Sequence, residues 1–229
     1  MAYEKEKQWT DGVVLIDKPA RWTSYDVVRK MHFITRRKIG HAGTLDPLAT
    51  GLLIICFDDK TKEISKIQDG NKEYTGSFFL GATTPSFDLE KEIDETFPTE
   101  HITEELIRAE AKKMTGTFQQ TPPLFSAIQV QGRRAYHFAR EGKEVEIKSR
   151  EATLFEFEIT FIKMPEAGFR IVCSKGFYVR SLARDLGIAL QSGAYLSSLR
   201  RTRSGEFSVS DAWLMDDLVT FALAEKSKT

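Results

Sequence analysis

The longest unbroken apolar run in this chain is Leu52 to Phe57, and it follows directly on a segment, Gly40 to Gly51, that holds three glycines and a proline. A run of this length bounded by a turn-rich stretch reads as a strand buried on both faces, and it falls far short of the roughly 20 apolar residues that cross a bilayer. Glycines give the preceding segment backbone shapes that other residues avoid, so it reads as a loop delivered by an interior strand. The start of the chain, Met1 to Gly12, carries no apolar signal stretch. A cytoplasmic protein with no membrane contact is the expectation.

Around this pair the chain alternates strand-like and helix-like segments. Gly12 to Asp17 reads as a short buried strand, and Ser24 to Phe33 as a helix capped near Thr23 or Ser24. Tyr74 to Leu80 reads as a strand, Ala82 to Pro98 as a polar, acidic loop, and Thr103 to Met114 as an amphipathic helix capped by Thr103. Thr153 to Ile162 and Gly168 to Ser174 alternate like paired strands, and Val179 to Leu190 reads as a helix ending near Gly193. The spacing is not that of regular βαβ units. It predicts an α+β fold with a mixed, largely antiparallel central sheet flanked by helices. At 229 residues a single domain over residues 1–229 is expected. Between residues 119 and 149 the apolar pattern weakens into short basic, aromatic and glycine elements, as in an exposed excursion.

Lys plus Arg equals Asp plus Glu at 33 each, so bulk charge does not mark a nucleic-acid binder. The distribution is less even: residues 170–205 hold Arg170, Lys175, Arg180, Arg184, Arg200, Arg201 and Arg203 against Asp185 alone. Such polarity fits either a field that steers a polyanion or ordinary solvated charge. The two cysteines, Cys56 and Cys173, lie in apolar runs with no metal-ligand spacing around them. They read as buried, reduced thiols, and no metal is expected.

Within Gly40 to Gly51, Pro47 restricts Asp46 to extended or turn geometry, which would project a carboxylate from a stiff loop. On these residues alone a plain Asp-Pro turn serves as well. The segment Gly40-His41-Ala42-Gly43-Thr44-Leu45-Asp46-Pro47-Leu48-Ala49-Thr50-Gly51, however, resembles the active-site loop of the TruB family of tRNA pseudouridine synthases. The resemblance continues through Asp17-Lys18-Pro19 with Thr23-Ser24, Lys72-Glu73-Tyr74, Leu80-Gly81, Thr84 and Asp88. It resumes at Pro122 to Arg140, Cys173 to Arg180, and Leu199-Arg200-Arg201.

The resemblance implies the pseudouridine synthase fold and an isomerase that converts uridine 55 in the tRNA T loop to pseudouridine after flipping the base, with no cofactor. It makes Asp46 the catalytic carboxylate, Arg180 the arginine that pairs with it, and Tyr74 a tyrosine that stacks on the base and assists proton transfer. Tyr178 and Leu199 would line the uridine pocket. His41 would sit beside the flipped nucleotide, and Lys18 with Pro19 would buttress the loop. Residues 119–149 would be a thumb-like insertion gripping the T stem-loop, with Arg133, Arg134 and Arg140 on phosphate and Tyr136 stacking. Arg36, Arg37 and Lys38 are weaker backbone-contact candidates. The small C-terminal RNA-binding domain of longer members is expected to be missing, and the partner is tRNA, bound by a monomer with no obligatory protein partner.

This sequence departs from the family pattern at Arg21, where glycine is common, at Pro85 and Ser86, and at Gln129. These departures touch RNA contacts rather than the reaction. Two rival functions use the same residues. A non-catalytic tRNA-binding or folding factor needs the pocket but not a buried charged pair. A glycosidase needs a second carboxylate 5 to 9 Å from the first, for which Asp88 is the loop candidate, unless that side chain is merely solvated.

Overall fold

In a computed structural model, the structure describes residues 4–126, 128–130, 132–135, 138, 141 and 145–227. The chain forms two compact units, Met1–Thr75 with Leu199–Thr229 and Gly76–Ser198.

The first unit opens with helix α1 (Lys5–Asp11), then strand β1 (Val13–Lys18), helix α2 (Ser24–Thr35), strands β2 (Ile39–His41) and β3 (Thr50–Phe57) and the single-turn helix α3 (Ile64–Ile67). Strand β4 (Lys72–Leu80) leaves this unit at Thr75. β3 is central. It runs antiparallel to β1, with Leu15 opposite Ile54, and antiparallel to β2, with His41 opposite Ile55. All residues from Gly51 to Phe57 are buried. Leu52, Ile54 and Cys56 pack with Val13, Leu15 and Ala42 on one face of β3. That two-sided burial is why the run is continuously apolar rather than alternating. Cys56 and Cys173 are buried and form no disulfide, and burial pushes the Cys56 thiol up to about 11. Helix α2 is closed by a full capping box: Thr23 accepts from the Asp26 amide while Asp26 accepts from the Thr23 amide.

The second unit continues with the short hairpin β5 (Ala82–Thr83) and β6 (Glu95–Thr96), helix α4 (Glu104–Lys113), strand β7 (Gly116–Gln120), the hairpin β8 (Gln129–Val130) and β9 (Arg133–Arg134), strands β10 (Arg150–Lys163) and β11 (Glu166–Cys173), helix α5 (Val179–Ala189) and the start of strand β12 (Ala194–Ser204). Strands β11, β10 and β7 run antiparallel in that order. Phe78 of β4 stacks on Phe169 of β11 at 4.3 Å in the core beneath them. The Thr103 cap of α4 forms as the sequence indicated.

The chain then completes the first unit with the remainder of β12, β13 (Phe207–Ser208), β14 (Trp213–Leu214) and helix α6 (Met215–Lys226), which packs with α2. There β12 runs parallel to β3, with Arg201 opposite Gly51, and β14 runs parallel to β1. The α+β class with mixed, largely antiparallel pairing is therefore as expected. Three details differ. Ala82 to Pro98 is not all loop, because Thr83 and Asp94 close a small hairpin through side chain and main chain. Gln119 and Gln120 belong to β7, and the Thr121–Ser149 hydroxyl pair closes the base of the excursion just beyond it. Helix α1, helix α6 and the long strand β12 had no reading at all.

Candidate active-site loop and its supports

The glycine loop is held from beneath by three side chains of its own unit. Lys18 is fully buried, and its ammonium donates to the carbonyls of Pro19 at 3.0 Å, Trp22 at 2.6 Å and Pro47 at 3.3 Å. Three donors thus meet three acceptors, which is the full capacity of the group. The Ser24 hydroxyl donates to the Leu45 carbonyl at 3.2 Å and accepts from its amide at 2.9 Å. Arg201, 2% exposed, spreads its guanidinium over three more carbonyls, Leu52 at 2.8 Å, Gly43 at 3.1 Å and Thr44 at 3.4 Å. Asp46 lies between these anchors, half-exposed, and its carbonyl accepts from the Ala49 amide at 3.1 Å to close a turn with Pro47 at the second position. Loop and carboxylate are therefore preorganised from main-chain contacts outward.

One glycine of the loop has a different reason from the one its composition implied. At Gly51 (φ 97°) an added Cβ would lie 2.3 Å from the Arg201 carbonyl oxygen, so the close neighbour is strand β12 and not a ligand. His41 also differs from expectation. It ends strand β2 rather than lying in the loop, its Nδ1 is buried without a hydrogen-bond partner among the described residues, and burial, with the Arg201 charge, pushes its pKa down. A neutral ring stacks and shares a hydrogen bond, but it is a poor cation for phosphate.

Burial drives the Lys18 ammonium down to about 8 from 10.5, against the opposing pull of the Asp46 carboxylate. The folded state then loses this proton at a lower pH than the unfolded chain. Between about pH 8 and 10.5 the unfolded chain holds more protons, so this group makes stability rise with pH, while below pH 8 its contribution is flat. Subtracting the unfolding free energy of Lys18→Met from that of wild type, by denaturant titration at several pH values, should therefore give a difference that grows across this window. At pH 7 the variant should be less stable by about 2 to 4 kcal/mol, because buried carbonyls lose their donor. A pH-independent difference would put the ammonium in water.

The other residues of the first unit are two. Tyr74 is buried in β4, and Leu199, half-buried at the point where β12 enters this unit, offers its carbonyl to Thr50. Arg200, beside it, forms a two-pronged pair with Asp17, at 2.9 and 2.6 Å.

In the second unit, Tyr178 caps helix α5 half-exposed, with the Arg150 guanidinium 4.6 Å from its ring centroid. The buried Gln120 side chain fixes it by accepting from the Tyr178 amide at 2.8 Å and donating to its carbonyl at 3.1 Å. Arg180, two residues on, is 4% exposed; Asp88 faces it at 3.6 Å, and it donates to the Ser86 carbonyl at 3.2 Å. Asp88 is consequently not a solvated carboxylate. Thr84 and Ser86, both buried, turn the 84–88 segment by donating to the Asp88 carbonyl, which gives the departure at Ser86 a structural role. In the excursion, Arg133 pairs with Glu141 and lies over Phe138. Tyr136, Arg140 and the Arg134 side chain lie outside the described residues.

The basic segment 170–205 is less of a field than its composition implied. Arg170, Arg184 and Arg200 pair with Glu156, Asp185 and Asp17, and Arg180 and Arg201 are buried. Arg37 is likewise engaged, with Asp58 and the rings of Trp9 and Phe57. No group of His, Cys, Asp and Glu that could hold a metal occurs among the described residues, and no helix there is long and apolar enough to cross a membrane.

Comparison with known proteins identifies the family and the fold. The family model described as TruB family pseudouridylate synthase (N terminal domain) matches residues 29–179, and one described as tRNA pseudouridylate synthase B C-terminal domain matches residues 180–229. A tRNA pseudouridine synthase B from Flavobacterium johnsoniae is 55% identical over 90% of this chain and 94% of its own length. One from Phocaeicola vulgatus is 50% identical over 87% of this chain and 88% of its own. Among solved structures, a Cbf5-Nop10-Gar1 complex contains a chain matched over 99% of the present one with a TM-score of 0.75 and 29% identity. An H/ACA RNP bound to a substrate RNA containing 2'-deoxyuridine gives 0.72 and 26% over 99%. The present chain spans 59% and 60% of those two longer chains.

Proposed function

Starting from the TruB family of pseudouridine synthases, to which this chain belongs, we propose that it isomerises uridine 55 in the T loop of tRNA to pseudouridine with Asp46 as the attacking carboxylate. The reaction breaks the bond from C1′ to N1 of uracil, turns the base, joins C1′ to C5, releases the C5 proton and leaves one proton on N1 in its place, so it consumes no co-reactant. The reading rests above all on the way Lys18, Ser24 and Arg201 hold the Asp46 loop through its main chain. A nucleophile must meet C1′ or C6 of an extruded base at a fixed distance, and a carboxylate on a preorganised turn meets that need.

In this reading Tyr74 stacks on the uracil, Tyr178 and Leu199 border it, and Arg180 is the arginine that pairs with the attacking carboxylate. Lys18 acts on the loop rather than on the substrate. His41, as a neutral imidazole, takes the stacking place vacated when the base turns out. The excursion 121–149 supplies Arg133 and Arg134 to the T stem. Extruding a nucleotide costs a few kcal/mol, and binding of the folded T arm has to supply it. Incubating the protein with an unmodified tRNA transcript and mapping pseudouridine at single-nucleotide resolution tests the reading. Product confined to position 55 is the expected result; tight binding without product would leave a tRNA-folding factor instead.

A further inference from the structure

Beside the catalytic loop, and unused by the reading above, a hollow of about 420 Å³ is lined by Arg21, Trp22, Asp26, Arg29, Lys30 and Phe33. Four of these, Asp26, Arg29, Lys30 and Phe33, recur at the spacing that puts them on one face of α2. That face pairs cations with an aromatic ring that is 66% exposed, a combination an ordinary solvated helix surface does not need. Asp26 is occupied by the Thr23 cap and by Arg29 at 3.3 Å. Arg21 and Lys30, in contrast, have no side-chain partner among the described residues, and Arg36 lies 5.0 Å from the Phe33 ring centroid, adding another cation to the rim.

Arg21 carries the second observation. It holds a left-handed backbone, φ 66°, in which a glycine would be free of strain. Its amide donates to the Pro47 carbonyl at 2.8 Å, a bond that any residue at 21 would make. A glycine would take this backbone with less strain, and the arginine that holds it instead places its side chain along the cation-lined hollow.

We propose that this hollow is a second RNA-contact site, which takes a phosphate on Arg21 and Lys30 and an unstacked base against Phe33, from a nucleotide of the substrate tRNA other than the extruded uridine. The inference rests on the tRNA reading above. Phosphates meet paired cations and bases meet exposed rings by sequence-tolerant contacts, and both can be satisfied at an open rim that a polymer passes over.

The test is the equilibrium binding of unmodified tRNA transcript over a range of salt concentrations to wild type, Arg21→Gly, Arg21→Gly/Lys30→Ala and Lys66→Ala, with Tm measured for each. Lys66→Ala removes one exposed cation from α3 and controls for the loss of a single charge, as in Arg21→Gly. Arg21→Gly should keep or raise the Tm while weakening binding. The double variant should raise Kd on the order of 10-fold near 0.1 M salt and flatten the salt dependence by roughly one to two counterions. A double variant that binds as Lys66→Ala does overturns the inference. So does a fall in Tm for Arg21→Gly, which would assign Arg21 to the fold. A wild type that neither binds nor isomerises tRNA overturns the functional reading and this one together.

Discussion

Asp46→Asn should bind tRNA with nearly wild-type affinity and form no detectable pseudouridine. Asparagine keeps the shape of the side chain and its place on the turn but is a far weaker nucleophile than a carboxylate. A loss on the order of 10⁴-fold or more in single-turnover rate is the scale expected for a residue that forms the covalent link. The side chain is half-exposed and the loop is held by main-chain bonds that the substitution leaves in place, so unfolding free energy should move by no more than about 1 kcal/mol. Folded, tRNA-bound Asp46→Asn that still turned over would remove the carboxylate from the mechanism.

The largest effect on stability is expected at Arg201. Replacing it by methionine fills much of its volume but leaves the carbonyls of Leu52, Gly43 and Thr44 without their donor. Each unsatisfied buried carbonyl costs about 1 to 3 kcal/mol, and with partial relaxation the total should be about 3 to 5 kcal/mol. For a chain of this size that lowers Tm on the order of 10 °C. Lysine should recover only part of the loss, because one ammonium cannot reproduce the planar fork that reaches three oxygens. Calorimetry on the two variants separates these cases. Wild-type stability in Arg201→Met would mean that the clamp is incidental.

Much of the fold could be read because local chemistry and burial agree. The Thr23 and Thr103 caps, the run Leu52 to Phe57 and the alternation from Gly168 all became the elements they indicated. Strand β12 could not be read, since Ser197, Ser198, Arg200, Thr202 and Arg203 mask its apolar positions. The Asp46 loop was recognisable only through family resemblance; its composition fitted a turn equally well. Its supports were harder still. An arginine inside a polar strand looks solvated, and nothing local marks Arg201 as 2% exposed. Asp88 was ambiguous for the same reason, because its partner Arg180 lies far along the chain.

The contacts from Lys18 and Arg201 all end on main-chain oxygens, of Pro19, Trp22, Pro47, Leu52, Gly43 and Thr44. Such a hold registers where the loop runs and is blind to which side chains it carries. The burden of keeping the loop's path thus falls on residues distant in sequence, and the likeness that Thr44 and Leu48, both exposed, share with the family's loop is owed to what they display and not to the hold.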